Sequence, residues 1–595
     1  MQRLKRAEVP VEQTWNLDDL FTSHEAWEAE LDAIGGDIQT VTQYKGRLGE
    51  GPAVLAACLD AQERLTGRLH RVSAFASFRL TTESTEPAHQ ADSSRVGALM
   101  ARVLAAVTFI KSEVLALPDG TIEGWIQAEP SLASHRYTLR NWLDMKPYTL
   151  SPETEAALAG LSEVLDAPQR IYALSKGADL KFEPALDSEG KSHPVYEGGG
   201  VFSEDPVLRR NAFASYTKGL GAYRNTYAAT FATEVRKNVA MAKIRGYESA
   251  THMLLHPHKV TLAVYNNVLD IIGKELAPHM RRYQRLRQRL LGLDKMLYCD
   301  LAAPLKLAGE PVVTFQQAQE WVLGSLEILG EEYHEFMRRS FAERWIDWSN
   351  NIGKRSGAYC NTVYGVHSYV FMTWANRMRP AFTLAHELGH AGHLSMAGKY
   401  QRLSNVRPPM SFIEAPSTMN ELLLAQHLLD RPSDEQVRRS VIIGLMGTYH
   451  HNFINHLLEG ELQRRIYALA EAGKPITEQV LTGTKAEILR EFWGDAVEVE
   501  EGASLLWMYQ PHYYMGLYPY TYALGLTIST AAAQSIKEEG QPAVDRWLAV
   551  LKAGGTMTPV ELAQLAGVDI TRPEPIRKAV AYVGSLVDEL EQSFA

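Results

Sequence analysis

The five residues His386-Glu387-Leu388-Gly389-His390 constrain this chain more than any other stretch. On a helix, residues four apart lie one turn above each other on the same face, so both imidazoles can reach one ion. Glu387 follows the first histidine directly, and its carboxylate projects beside the pair, where a water on a zinc ion would sit. The plain alternative is a helix whose histidines merely share a face. Zinc that keeps a position open for chemistry takes three protein ligands, so a third must come from elsewhere. His393 continues the stripe but lies about 10 Å of helix rise beyond His386, which assigns it to support of the site or to packing. The arrangement that ends in a third histidine needs Gly where this chain has His393.

Glu414 is the better third ligand. It precedes Ala415-Pro416-Ser417, and proline is tolerated only in the first turn of a helix. The apolar run Leu422, Leu423, Leu424, Leu428, Leu429 shows that a helix follows. A carboxylate at a helix N-terminus is favoured by the dipole and stays ionised, as a metal ligand must. Glu421 is two turns along the same face, close enough to hydrogen-bond a ligating histidine from behind. A glutamate at a helix start is more often a capping charge, but the upstream pair of histidines reverses that preference.

The whole chain of 595 residues bounds the answer. At 46% hydrophobic, 22% charged and a net charge of −10, the chain can bury a large core, and its dispersed acidic residues argue against nucleic acid as a partner. The first eight residues are charged and no apolar segment follows them, no run reaches membrane-spanning length, and three scattered cysteines suit a reducing compartment. A cytoplasmic protein without membrane contact is the expectation. Successive helices are expected to about residue 180. Gly and Pro residues from Phe182 to Pro206, with the triplet Gly198-Gly199-Gly200, mark a boundary, and Ser188 to Lys191 could tip a small hairpin. This gives an N-terminal helical lobe over 1–195 and a catalytic domain over 196–595. The triplet lacks the context of a phosphate-binding loop. His252, His256 and His258 around Pro257 read as solvent-facing, and His450, His451 and His456 as structural. The segment Ser356 to Val370 favours strands, with Gly365-Val366 as a turn. A strand edge beside the metal, where Gly357 and Ala358 permit close approach, could pair with an extended peptide.

His386 to His393, followed by Glu414-Ala415-Pro416-Ser417, resembles the thimet oligopeptidase family of zinc metallopeptidases, and more narrowly its bacterial oligoendopeptidase F branch. Trp15 to Phe21, Ile244 to Tyr247 and Gly353 to Tyr359 resemble further stretches of that branch. The resemblance implies a mainly α, two-lobed zincin-type fold enclosing a deep substrate channel, with a small β element beside the zinc helix. It implies one Zn²⁺ per chain, short peptides as substrates and cleavage of internal peptide bonds, with Glu387 as general base. It also carries to His512, Tyr518 and Tyr522 the role of donating hydrogen bonds to the substrate oxyanion, although the branch usually has a bulky apolar residue where this chain has Pro519. Two alternatives stay open: a zinc exopeptidase, for which Lys354, Arg377 or Arg379 could anchor a peptide terminus, and a non-catalytic binding protein with a structural metal.

Overall fold

Helical spacing of apolar residues becomes helix through most of the chain, in a computed structural model that describes residues 3–196, 200–305, 311–431 and 434–595. Gly198 and Gly199 of the glycine triplet lie outside these residues. Proline repeatedly opens a helix, where its missing N–H costs nothing, as in Pro52–Thr82 and Pro87–Ala116. These two bury Leu55, Leu59, Leu65 and Val72 on one side and Val96, Leu99, Val103 and Ile110 on the other. The backbone sorts into two compact units, each drawn from three segments. The first comprises Met1–Pro147, Val312–Arg431 and Ala532–Gly567; the second comprises Tyr148–Pro311, Pro432–Ala531 and Val568–Ala595. The glycine- and proline-rich stretch from Phe182 to Pro206 falls inside the second unit.

In the first unit a three-stranded sheet is built on Ser368–Phe371. Tyr359–Thr362 pairs with it antiparallel, Tyr359 opposite Phe371, and Ile346–Asp347 pairs parallel on its other side. Tyr359–Thr362 is therefore an edge strand, and the turn before the central strand passes through Gly365 at φ 76°. The two-residue strand Ile346–Asp347 was not expected from sequence. Trp15, Phe78, Tyr369 and Phe371 pack ring against ring at one face of the sheet, with Trp15 4.7 Å from Phe78 and 5.9 Å from Tyr369. Asp347 is fully buried and compensated twice, by Arg6 and by Lys354 at 2.6 Å. Lys354 also donates to the carbonyls of Ser349 and Met372, at 2.8 and 2.6 Å, so the strand ends are tied to one cation.

Helix Met378–Tyr400 crosses this sheet, and Ser368 Oγ donates to the carbonyl of Ala391 at 3.2 Å. Two glycines let other elements touch its backbone. A Cβ on Gly392 would stand 2.4 Å from the hydroxyl oxygen of Tyr333, a buried residue of helix Gly330–Ala342. A Cβ on Gly389 would stand 2.5 Å from both the carbonyl oxygen of Pro416 and the Cα of Ser417. The first turn of helix Glu414–Leu429 thus lies directly on the backbone of its neighbour.

In the second unit, helix Pro206–Gly221 is joined to its surroundings by the buried ion pair of Arg209 with Asp300 at 2.7 Å, and helix Arg224–Arg245 by the half-buried pair of Arg245 with Glu155 at 2.7 Å. The short hairpin pairs Ala185–Leu186 with Ser192–His193 around Gly190 at φ 80°. A five-residue π-helical segment, His451–Asn455, leads into helix His456–Glu471. His512 sits in the short turn Pro511–Tyr514, ahead of helix Tyr520–Glu539.

Gly389→Ala has no room to relax, because both atoms it meets are backbone. It is expected to lower stability by about 1–3 kcal/mol, measured by denaturant unfolding with a chelator present so that metal binding does not contribute. An unchanged unfolding midpoint would mean the two helices are not held in contact there.

Candidate metal centre

The contact at Gly389 brings the histidine pair and the distant carboxylate together. Glu414 is the first residue of its helix, as its position two residues before Pro416 suggested. Its Oε2 lies 3.3 Å from His386 Nε2 and 3.4 Å from His390 Nε2. The two imidazoles stand with ring centroids 5.0 Å apart at 83°, so neither ring blocks the other. Donor atoms bound to one tetrahedral zinc at about 2.0–2.2 Å would be separated by about 3.3–3.6 Å, so this donor set fits the ion.

Two of the three donors are aimed by another group. Glu421, buried, lies with Oε1 2.7 Å from His386 Nδ1, which fixes the proton on that nitrogen and turns the Nε2 lone pair toward the centre. Arg379 donates to the other oxygen of Glu421 at 3.4 Å. Ser417 Oγ donates to Glu414 Oε2 at 3.1 Å. Burial opposes charge on Glu414, but His390 and His386, as neighbouring charges and hydrogen-bond partners, hold its pKa well below the usual range. Burial pulls His386 down too, yet hydrogen bonds to Glu414 and Glu421 and the carboxylate charges raise its pKa well above 6.5.

Glu387 is different. It is 6% exposed, and burial raises its pKa while the histidines oppose the rise. Disfavouring the charged form makes such a carboxylate a better proton acceptor than a free one. Cys360, on the edge strand, feels the Glu387 charge, which adds to burial in pushing its thiol pKa up. The strand and Glu387 are therefore neighbours. Gly357 and Ala358 immediately precede that strand, and a Cβ on Gly357 would meet nothing within 4 Å.

Several residues behave otherwise than expected. Of its two expected roles His393 takes packing and not support of the site: it is buried against Phe412, its pKa is pushed down to about 3 by burial and by His390, and neither ring nitrogen has a hydrogen-bond partner. Lys354 is spent on Asp347 and backbone carbonyls and cannot anchor a peptide terminus. His252 and His256 are half-buried, not solvent-facing, and stand edge-on to Tyr247, whose ring stacks on Tyr148 at 3.6 Å. Tyr518 precedes the helix that carries Tyr522, since a residue before proline is steered out of helical conformation. The two rings still meet, with centroids 5.4 Å apart, and His512 lies 4.9 Å from Tyr518 and 5.7 Å from Tyr522. Burial and the charge of His456 push His512 down to about 4, so it is neutral near pH 7.

Among the described residues two other groups bring three potential ligands together. Asp60 and Glu63 already hold the guanidinium of Arg402, which occupies the place of a cation, and His135 is bonded to Asp60. His456, Glu459 and His512 form the second group, and sequence reasoning missed it. The spacing of His456 and Glu459, three apart and so on one helix face, was the available signal.

Comparison with known proteins finds relatives over nearly the whole chain. The model of peptidase family M3 matches residues 202–582, and that of an oligopeptidase F domain matches residues 113–182. The oligopeptidase PepF of Bacillus subtilis (strain 168) is 32% identical over 590 residues, covering 99% of this chain and 88% of that protein. The plasmid-encoded oligoendopeptidase F of Lactococcus lactis subsp. cremoris is 25% identical, with 99% and 98% covered. Among solved structures, a peptidase from Chlamydophila abortus superposes with a TM-score of 0.88 at 26% identity over 100% of both chains. Oligoendopeptidase-F from Enterococcus faecium gives 0.75 at 25% identity, over 96% of this chain and 99% of that one.

Because Glu421 orients His386, Glu421→Gln is expected to weaken metal binding by about 10–100-fold, read by competition with a chromophoric chelator. Undiminished affinity would remove Glu421 from the site's design. The raised pKa of His386 means that the metal-free site carries a proton near neutral pH, which metal must displace. Metal affinity should therefore rise with pH, and calorimetry in buffers of different ionisation heat should detect proton release. A buffer-independent heat would contradict this.

Proposed function

This chain belongs to peptidase family M3 and is a metalloendopeptidase; we propose that its metal is zinc, held by His386, His390 and Glu414, and that it hydrolyses internal bonds of short peptides. The observation that carries the reading is the convergence of two imidazole nitrogens and one carboxylate oxygen at 3.3–3.4 Å. Three protein donors leave a fourth position for solvent or substrate, which a structural site closed by four protein ligands would not.

When bound, zinc would supply the positive charge that makes water acidic and polarises a carbonyl. Glu387 then does the proton work: it takes a proton from water and later delivers it to the departing amine nitrogen. Its raised pKa suits both halves of that task. Hydrolysis proceeds without an acyl-enzyme, in keeping with a chain that has no G-x-S-x-G nucleophile elbow. By family resemblance His512, Tyr518 and Tyr522 donate hydrogen bonds to the carbonyl oxygen as it gains charge, each worth about 3 kcal/mol by analogy with other oxyanion donors. The open edge of Tyr359–Thr362, reached past Gly357 and Ala358, supports binding of the peptide in extended form. Of the three candidate anchors for a peptide terminus, Lys354 is buried in its own network and Arg379 is engaged with Glu421, which leaves the exposed Arg377. The names of the relatives, oligopeptidase and oligoendopeptidase F, support short peptides as substrates. No helix among the described residues is long and apolar enough to cross a membrane, which is compatible with the cytoplasmic location expected from sequence.

Glu387→Gln is expected to keep one zinc per chain and to lose about 10³-fold in turnover of a quenched fluorescent peptide. Retained turnover would reject its role as base. Digestion of a mixed peptide library, with and without chelator, should give internal cuts that vanish on chelation; stepwise trimming from one end would overturn the endopeptidase reading.

A further inference from the structure

The second unit contains a polar chain that none of the proposed chemistry uses directly. His456 is 4% exposed, and both of its ring nitrogens are engaged: Nδ1 lies 2.8 Å from Glu459 Oε2, and Nε2 lies 3.2 Å from His451 Nε2. Burial works against charge on Glu459, but the hydrogen bond and charge of His456, the charge of buried Lys485 and a hydrogen bond from Gln510 hold its pKa below the usual range. An ionised Glu459 accepts the Nδ1 proton of His456, and the contact of Nε2 with His451 holds the ring at its second nitrogen. A ring held at both nitrogens cannot turn about its own axis, so its face is a fixed plane.

That plane carries the ring of Tyr522, stacked at 4.0 Å and 15°. The other edge of the group is His512, whose centroid is 5.2 Å from His456 and whose buried Nδ1 has no hydrogen-bond partner. The segment that presents His451 is the π-helical stretch His451–Asn455, and such departures from α-helix occur often where a side chain must be re-aimed.

We propose that His456, fixed by Glu459, is a positioning residue that sets the ring plane of Tyr522 and so the direction of its hydroxyl. The catalytic consequence rests on the reading of Tyr522 as an oxyanion donor; the positioning itself does not. His456 acts through Tyr522, so the two should not contribute independently.

The full-length zinc enzyme can test this with two readouts. The first is a double-mutant cycle of His456→Phe and Tyr522→Phe, reading kcat and KM on a short peptide alongside metal content. Phenylalanine at 456 keeps an aromatic face but loses both pinning bonds. His456→Phe is expected to lower kcat about tenfold with KM within twofold and zinc unchanged, and the double variant should be no slower than Tyr522→Phe alone. Losses that multiply would overturn the proposal. The second readout is ¹⁹F NMR of 3-fluorotyrosine placed at 522, comparing wild type with Glu459→Gln, which preserves shape if His456→Phe does not fold. A shifted or broadened resonance supports positioning even if Tyr522→Phe keeps full kcat, an outcome that would reject only the oxyanion role. An unchanged resonance rejects positioning whatever the kinetics show. A second equivalent of metal, lost in Glu459→Gln, would also overturn it, by making the group a ligand set.

Discussion

Everything at the candidate centre depends on two helix backbones touching at Gly389. A helix can present two imidazoles on one face by itself, but the third donor belongs to a different helix and must arrive within about a zinc ligand's span. The first turn of Glu414–Leu429 can do so because there is no side chain at 389 to hold it off. The contact then serves twice, since Glu421 from the same helix reaches the far nitrogen of His386. Three buried or half-buried carboxylates, Glu387, Glu414 and Glu421, thereby surround two imidazoles, with Arg379 engaging only one of them. Such a concentration of acid out of water is costly without a cation to share it. The chemistry of the centre and the packing of the fold are one requirement.

The same placement separates the roles of three chemically identical side chains. Glu414 is held ionised by the histidines, and Glu421 is bound to one of them from behind. Burial dominates the surroundings of Glu387 and raises its pKa. Differences in environment, not in residue type, separate the proposed ligand, orienter and base.

Much of this was legible in the sequence, and the limits are physical. Helical spacing disclosed the histidine pair, and proline's confinement to the first turn disclosed where Glu414 falls. The hairpin strands showed in their β-branched and aromatic residues, while Ile346–Asp347 is too short to leave any periodic trace. The role of Gly389 could not be read, since a glycine within a helix does not say which neighbour approaches it. Lys354 looked available because a lysine gives no sign in sequence of being 2% exposed amid carbonyls and Asp347. His456 looked structural because its partners Glu459, His451 and Tyr522 acquire meaning only when the π-helical turn and a helix from later in the chain bring them together. Compositional breaks mark loops such as 182–206, but a unit assembled from three separate segments has no single boundary in chain order.

The most direct test of the central claim is anomalous diffraction at the zinc edge from crystals of the metal-loaded protein. The account requires one peak within about 2.0–2.2 Å of a nitrogen of His386, a nitrogen of His390 and an oxygen of Glu414, with the remaining position taken by solvent. A peak that leaves Glu414 uncoordinated, or one closed by a fourth side chain, would contradict it.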